Sequence, residues 1–432
     1  MIYGGTGASG NPGVVRLAIQ DGGAWFACSA AMWKPRLLLT AAHCVTKEGG
    51  SAGVDRVYVF PPGASAPIYS DIGPVGASSV AVKQWWRSSD YSQSGSSVAP
   101  NDFAVIELAT DLAPPAYTRL STQFDISRWA DQSALVEHVG YGLTGPDQWT
   151  DVPMTTSLPI SAYLPDSPVG PVFRTAATTE HGICPGDSGS PVFRHEVDGS
   201  YVLVGTVAGG IGACVEGSSG SPQALNFIAM AYLNVLNPAL ASAGYPTIPS
   251  APISIALAAR NRDVEVTWEP PASSPESVVT YQVINTDGAV VCTSTATTCE
   301  VTGLPDGTYA YTVRAVNADG DGDVLPVAPA NAVAIAGPTQ MQAPTPTRKS
   351  GTRARVTFRT LAGTSSAVVT TYVVTDAKGR TICTVAPDAR LSSRLTCTSK
   401  PLRQGSYRFR VTANTEMGST PPSGLSSPLA VY

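Results

Sequence analysis

The stretch Cys184-Pro185-Gly186-Asp187-Ser188-Gly189-Ser190-Pro191 sets a serine in a glycine-rich turn. A serine hydroxyl is a weak nucleophile at neutral pH. It needs an imidazole to take its proton and a carboxylate to orient that imidazole. Upstream, Thr40-Ala41-Ala42-His43-Cys44 offers the imidazole. Between them, Asn101-Asp102-Phe103-Ala104-Val105-Ile106-Glu107-Leu108 offers an acid at the head of a strand-like alternating run. A nucleophile elbow of the α/β-hydrolase kind needs its histidine after the serine. Here only His195 follows Ser188, too close in sequence to return from another strand. Zinc-protease chemistry lacks its His-Glu-x-x-His helix.

The order His43, Asp102, Ser188, with these three surroundings, resembles the trypsin/chymotrypsin-like serine protease family. That resemblance implies two successive six-stranded antiparallel barrels closed by a C-terminal helix, here Phe227 to Tyr245. It implies hydrolysis of peptide bonds through His43, Asp102 and Ser188, with the N–H groups of Gly186 and Ser188 as oxyanion hole. No metal and no cofactor are expected. The residue six before the nucleophile, Gly182, stands at the floor of the family's specificity pocket. Leu203-Val204-Gly205-Thr206-Val207-Ala208-Gly209-Gly210 resembles the strand that walls it, with Ala208, Gly209 and Gly210 lining the pocket. An acid at the floor would select Arg or Lys. Glycine favours a neutral, apolar or aromatic residue before the cleaved bond, although Glu216 could bring a carboxylate near. Ser190 stands where the family usually has a second glycine.

Ile2-Tyr3-Gly4-Gly5 resembles the family's mature start, whose freed amine pairs with the acid before the nucleophile. Asp187 is the expected partner of Ile2, once Met1 is gone. No basic-then-apolar leader begins the chain, so an upstream secretion signal is expected to have been trimmed or to be missing.

The 432 residues are 14% charged and rich in Gly and Pro, which reads as all-β with several domains. After residue 249 the texture changes to short β-branched strands between regular turns. Residues 252–336 resemble a fibronectin type III module. Val264-Glu265-Val266-Thr267-Trp268 carries the core tryptophan, and Tyr309-Ala310-Tyr311-Thr312-Val313 the later tyrosine strand. Residues 341–432 repeat it. Tyr281 and Gly288 recur as Tyr372 and Gly379. Cys299, Tyr309, Tyr311 and Val313 recur as Cys397, Tyr407, Phe409 and Val411, at a second spacing that reflects one lengthened loop. Phe358 stands where Trp268 stood. The expected chain is a protease domain over 1–249 and two immunoglobulin-like β-sandwiches.

Eight cysteines and no Cys-x-x-Cys point to an oxidising, extracellular setting. Domain boundaries restrict the pairing to Cys28–Cys44, Cys184–Cys214, Cys292–Cys299 and Cys383–Cys397, of which the first two match family disulfides.

The bland net charge of −5 hides a division. There are 11 basic and 19 acidic residues before 251, 3 and 10 in the first module, and 13 and 3 from 341 onward. In Thr352-Arg353-Ala354-Arg355-Val356-Thr357-Phe358-Arg359, period two turns the arginines outward. Such a basic face can attract an anionic cell-envelope or extracellular polymer; the bland reading is a solvated sheet face, or one that docks on the acidic neighbours. No motif accompanies it that would specify nucleic acid. No apolar run reaches membrane-spanning length, and a monomer is expected. Asn317-Ala318-Asp319-Gly320-Asp321-Gly322 begins like a calcium loop, but its twelfth position is Ala328 where a bidentate glutamate is needed. A turn between strands is the expectation. The reading is a secreted serine endopeptidase spaced or tethered by its modules. The alternative is a protease-like adhesion or polymer-binding protein without activity.

Overall fold

The computed structural model of the protein describes residues 2, 4–8, 13–47, 52–64, 79–92, 99–113, 119–143, 150, 152–178, 181–196, 199–211, 223–325, 332–361, 367–387 and 393–432. Cys214 and Glu216 therefore lie outside the described residues, as do Met1 and Tyr3.

Among the described residues the N-terminal part holds fourteen strands. They are β1 Thr6–Gly7, β2 Val14–Asp21, β3 Ala24–Lys34, β4 Leu37–Thr40, β5 Arg56–Phe60, β6 Val82–Arg87, β7 Ala104–Leu108, β8 Arg119–Leu120, β9 Leu135–Gly140, β10 Met154–Leu164, β11 Val172–Ala176, β12 Pro191–His195, β13 Tyr201–Ile211 and β14 Gln223–Phe227. The first sheet runs β5-β2-β3-β4-β7-β6, and a Val59–Val80 bridge joins β5 to the residues just before β6. The second runs β10-β11-β14-β13-β12-β9 and closes on itself because β9 also pairs with β10. The expected all-β barrel architecture is borne out.

Local sequence explains the turns that set these registers. Gly22 and Gly23 both take positive φ between β2 and β3, the backbone a two-residue hairpin needs to match strand twist. The helix α1, Gln123–Asp131, begins in a capping box: the Thr122 hydroxyl accepts from the Asp125 N–H, and the Asp125 carboxylate accepts from the Thr122 N–H. The expected closing helix is α2, Leu233–Ala243, preceded by a 3-10 turn over Ala229–Tyr232. Gly244 ends it in the left-handed region, where the Tyr245 N–H reaches back to the Leu240 carbonyl at 2.9 Å. The Arg36 guanidinium donates to the Ala243 carbonyl at 2.8 Å, placing a cation at the negative end of the helix.

Trp33, Leu37, Phe103, Val139, Leu203, Phe227, Leu236 and Leu240 belong to one buried cluster that joins residues of both sheets with α2. Each such large side chain contributes roughly 1.5–3 kcal/mol by leaving water.

Among the described residues the C-terminal part has seven strands and then nine. The first module has β15 Ile255–Arg260, β16 Asp263–Trp268, β17 Thr280–Asn285, β18 Val290–Ser294, β19 Thr298–Val301, β20 Gly307–Val316 and β21 Ala332–Ile335, in sheets β15-β16-β19 and β18-β17-β20-β21. The second has β22 Thr345–Arg348, β23 Ala354–Arg359, β24 Val369–Asp376, β25 Thr381–Val385, β26 Arg394–Thr398, β27 Gly405–Tyr407, β28 Phe409–Thr415, β29 Gly418–Ser419 and β30 Leu429–Val431. Its sheets β22-β23-β26 and β25-β24-β28-β29 repeat the same order, and β27 pairs with β30.

The repeat extends to single hydrogen bonds. The Tyr309 hydroxyl donates to the Pro305 carbonyl at 2.9 Å, and the Tyr407 hydroxyl to the Arg403 carbonyl at 3.0 Å. Each ring stacks on the aromatic two residues on, Tyr311 or Phe409. The earlier turn is equally matched. Asn285 Oδ1 accepts from the N–H groups of Asp287 and Ala289, and Asp376 Oδ1 from those of Lys378 and Arg380. Trp268 and Phe358 are both buried.

The chain packs as two compact units. One is Met1–Ile253 with Pro270–Gln282 and Val313–Pro326; the other is Ser254–Glu269 with Val283–Thr312 and Val327–Tyr432. No helix among the described residues is long and apolar enough to cross a membrane.

Candidate active site

His43 lies in the 3-10 turn Ala42–Cys44 that follows β4, and Asp102 precedes β7. Antiparallel pairing of β4 with β7 sets Thr40 opposite Ala104, so the two segments emerge at the same end of the sheet. The turn before Asp102 depends on Asn101, held at φ 53°, a left-handed conformation that Asn tolerates better than most residues. The outcome is a two-point contact. Asp102 Oδ2 lies 2.7 Å from His43 Nδ1, and Asp102 Oδ1 accepts from the His43 backbone N–H at 2.8 Å.

Asp102 is 2% exposed and the His43 side chain 28%, so the imidazole covers the carboxylate and keeps an open side itself. Burial disfavours the imidazolium, but the Asp102 carboxylate more than offsets it and holds the His43 pKa above the ordinary histidine value. With Nδ1 engaged by Asp102, Nε2 is the nitrogen left to accept a proton from another group.

Ser188 stands in the turn leading to β12. The Ser29 N–H donates to the Ser188 carbonyl at 2.8 Å, and Cys44 Sγ lies 3.9 Å from that same oxygen. The Cys28–Cys44 disulfide ties β3 to the histidine turn at this point. Ser188 is thus fixed against the residue following His43. Three N–H groups of its turn have protein acceptors: Asp187 donates to the Cys184 carbonyl, Ser190 to the Asp187 carbonyl, and Gly189 to the Val207 carbonyl. Among the described residues, the N–H groups of Gly186 and Ser188 have none. Gly186 takes φ 94°, which few side chains permit.

Asp187 is fully buried. Burial raises its pKa, while hydrogen bonds from the N–H groups of Cys184 and Gly142 stabilise the charged form. Gly140 makes room for it, since a Cβ there would lie 2.1 Å from Asp187 Oδ1. Ile2 is fully buried as well, with its carbonyl accepting from the Gly5 N–H. Ser190 is buried, and its hydroxyl has no partner among the described residues.

The expected pocket residues fall along two segments. Gly182 is buried, Ala208 is buried, Gly209 is half-buried and Gly210 is exposed. The pairing of β13 with β14 is irregular between Val207 and Gly209, a bulge of the kind that bends a strand edge. Cys184 takes part in a disulfide, and its expected partner Cys214 lies outside the described residues. The pairs Cys292–Cys299 and Cys383–Cys397 form as expected.

Cys28, Cys44 and His43 bring potential ligand atoms within 4.8 Å of one another. Both sulfurs are spent in the disulfide, which leaves no thiolate to hold a metal.

The sequence reading missed Ser29. This buried residue donates from Oγ to the Gly186 carbonyl at 2.9 Å and accepts the Tyr141 N–H at 3.2 Å, and its own carbonyl accepts from Thr40 Oγ1. It joins the histidine strand, the serine turn and the end of β9. Its place beside Cys28 was the available signal, since a cysteine bound to the histidine turn must bring its neighbour to the same place.

The trypsin family pattern matches residues 2–228, and the fibronectin type III domain pattern matches residues 249–330. A trypsin-like protease of Streptomyces glaucescens is 28% identical over 207 residues, which cover 45% of this chain and 68% of the relative.

Proposed function

Since this chain belongs to the trypsin family, we propose that it is a serine endopeptidase acting through Ser188, His43 and Asp102. The observation that carries this reading is the double contact of Asp102 with His43, which orients the imidazole and leaves Nε2 for a hydroxyl. His43 takes the Ser188 proton as Oγ attacks a peptide carbonyl, then gives it to the leaving amine. Water reverses the sequence to release the acyl group. Asp102 fixes the tautomer and offsets the imidazolium charge.

The N–H groups of Gly186 and Ser188 receive the oxyanion. Their lack of acceptors among the described residues supports this role, because backbone donors are seldom left unpaired without water or ligand to meet them. Each such donor is typically worth about 3 kcal/mol of barrier.

Substrates are proteins or peptides. Gly182, Ala208, Gly209 and Gly210 line the primary pocket, and an uncharged floor favours a neutral, apolar or aromatic residue over Arg or Lys. The Ile2 amine, freed of Met1, pairs with Asp187 and sets the oxyanion turn. The disulfides support a secreted enzyme. The protease occupies 1–249, with modules over 252–336 and 341–432. The basic β23 and β26 face of the last module, with Arg355, Arg359 and Arg394 exposed, tethers the chain to anionic polymer.

The test is cleavage of a peptide library by a chain that starts at Ile2. Hydrolysis after neutral residues that disappears in Ser188→Ala supports the reading. Equal hydrolysis by both forms sinks it.

A further inference from the structure

We infer that the loop Asn317–Asp323 is a clip that builds this part of the first fibronectin-like module into the protease unit, with Lys34 seated between two of its carboxylates. Lys34 ends β3, the strand that carries Cys28 and Ser29. Its Nζ lies 2.9 Å from Asp319 Oδ2 and 2.9 Å from Asp321 Oδ2. Both loop residues belong to the same compact unit as Lys34. The stretch that begins like a calcium loop thus faces a cation supplied by the chain itself.

Burial separates this arrangement from an ordinary surface ion pair. The Asp321 side chain is 3% exposed and that of Lys34 is 14% exposed. Exposed pairs contribute little, whereas removing one member of a buried pair strands the other's charge. The two carboxylates more than offset the burial of Lys34 and hold its ammonium pKa above the ordinary value.

The second oxygen of Asp321 is also used. Oδ1 accepts the Leu120 N–H at 3.2 Å, in the strand β8 that runs parallel to β13. On the loop side, Asn317 Oδ1 accepts the N–H groups of Asp319 and Asp321, and its Nδ2 donates to the Thr247 carbonyl at 3.2 Å. Gly322 allows the close fold of the loop, since a Cβ there would lie 1.7 Å from the Ala315 carbonyl oxygen. Arg314 at the loop's base is buried beside Arg119 and Asp125, and burial lowers its pKa to about 10. Arg119 itself grips Asp125 with two hydrogen bonds. Charged groups packed this closely, and satisfied on both sides, need one fixed arrangement to be tolerated at all. A freely jointed spacer would not supply it.

The test uses the full-length chain in a Ser188→Ala background, so that self-digestion does not interfere and the outcome does not depend on the proteolytic reading. Calorimetric unfolding is compared for Lys34→Met, Asp321→Asn and the double variant. The clip predicts that the protease part and first module melt in one transition. Each single substitution lowers its midpoint by about 5 °C or more, and the double variant falls no further than the worse single. Separate melting of the first module in the parent chain, or additive shifts in the double variant, overturns the inference. Should a buried-site variant fail to fold, Asp319→Asn at the more exposed carboxylate still has to lower the midpoint, and an unchanged midpoint counts against the clip.

Discussion

Ser29 Oγ donates to the carbonyl of Gly186 across 157 residues of sequence, at 2.9 Å. The same oxygen accepts the Tyr141 N–H. One buried hydroxyl therefore holds the turn that presents Ser188 and the end of β9 against the strand joined to the histidine.

Replacing Ser29 by alanine leaves a buried carbonyl and a buried N–H without their partner, a loss of about 1–3 kcal/mol. We predict that Ser29→Ala lowers kcat by roughly tenfold while KM changes little, because Gly186 drifts from its place in the oxyanion turn. Steady-state kinetics on a peptide substrate check this. An unchanged kcat removes Ser29 from the active-site framework.

The pH profile follows from Asp102. His43 must be neutral to accept a proton, and Asp102 raises its pKa above the ordinary histidine value. Activity is accordingly lost on acidification through that raised value. The same shift means that the His43–Asp102 ion pair stabilises the fold fully below the unfolded histidine pKa, and that this contribution disappears as pH rises through the folded one. In Asp102→Asn the acid limb of kcat/KM moves to lower pH and the rate falls by about four orders of magnitude. A limb that stays in place shows that Asp102 does not govern the base.

Gly140→Ala would place a methyl group 2.1 Å from Asp187 Oδ1. The carboxylate must then leave the N–H groups of Cys184 and Gly142. A destabilisation of about 2 kcal/mol or more, measured by denaturant unfolding, is expected from a buried charge forced off its donors.

The Cys28–Cys44 bridge closes a loop of sequence separation 16. Replacing both cysteines by serine removes roughly 3 kcal/mol in the chain-entropy model. Because the bridge anchors the histidine turn to β3, kcat also falls in the fraction that remains folded. Unfolding curves and kinetics on the same sample separate the two effects.

Salt dependence distinguishes a tether from a merely solvated face. The Ser188→Ala chain is predicted to bind immobilised heparin and to be released by salt. A variant with Arg355→Glu and Arg359→Glu elutes at clearly lower salt, since fewer cations face the polyanion. Identical elution of the two forms assigns those arginines to solvation alone.

Much of this was legible in the residues. The proposed triad of His43, Asp102 and Ser188 stood out because a serine nucleophile needs two partners of fixed type, and the local surroundings of all three are short and contiguous. The module repeat was legible for a related reason: Tyr309 and Tyr407 open matching short runs, Tyr309-Ala310-Tyr311-Thr312-Val313 and Tyr407-Arg408-Phe409-Arg410-Val411. Ser29 and Lys34 were not. Each works through partners more than a hundred residues away, and neither residue type signals such a role by itself. The Asn317–Gly322 turn was read correctly as a turn, but its cation was invisible because Lys34 lies at the far end of the chain's first long hairpin.

The most direct measurement is intact mass after treatment with a fluorophosphonate, which captures only a serine activated by its base and oxyanion donors. The chain starting at Ile2 is predicted to gain one adduct, and its Ser188→Ala form none. An Ile2 chain that stays unlabelled, or labelling that persists in Ser188→Ala, would contradict the proposed catalytic site.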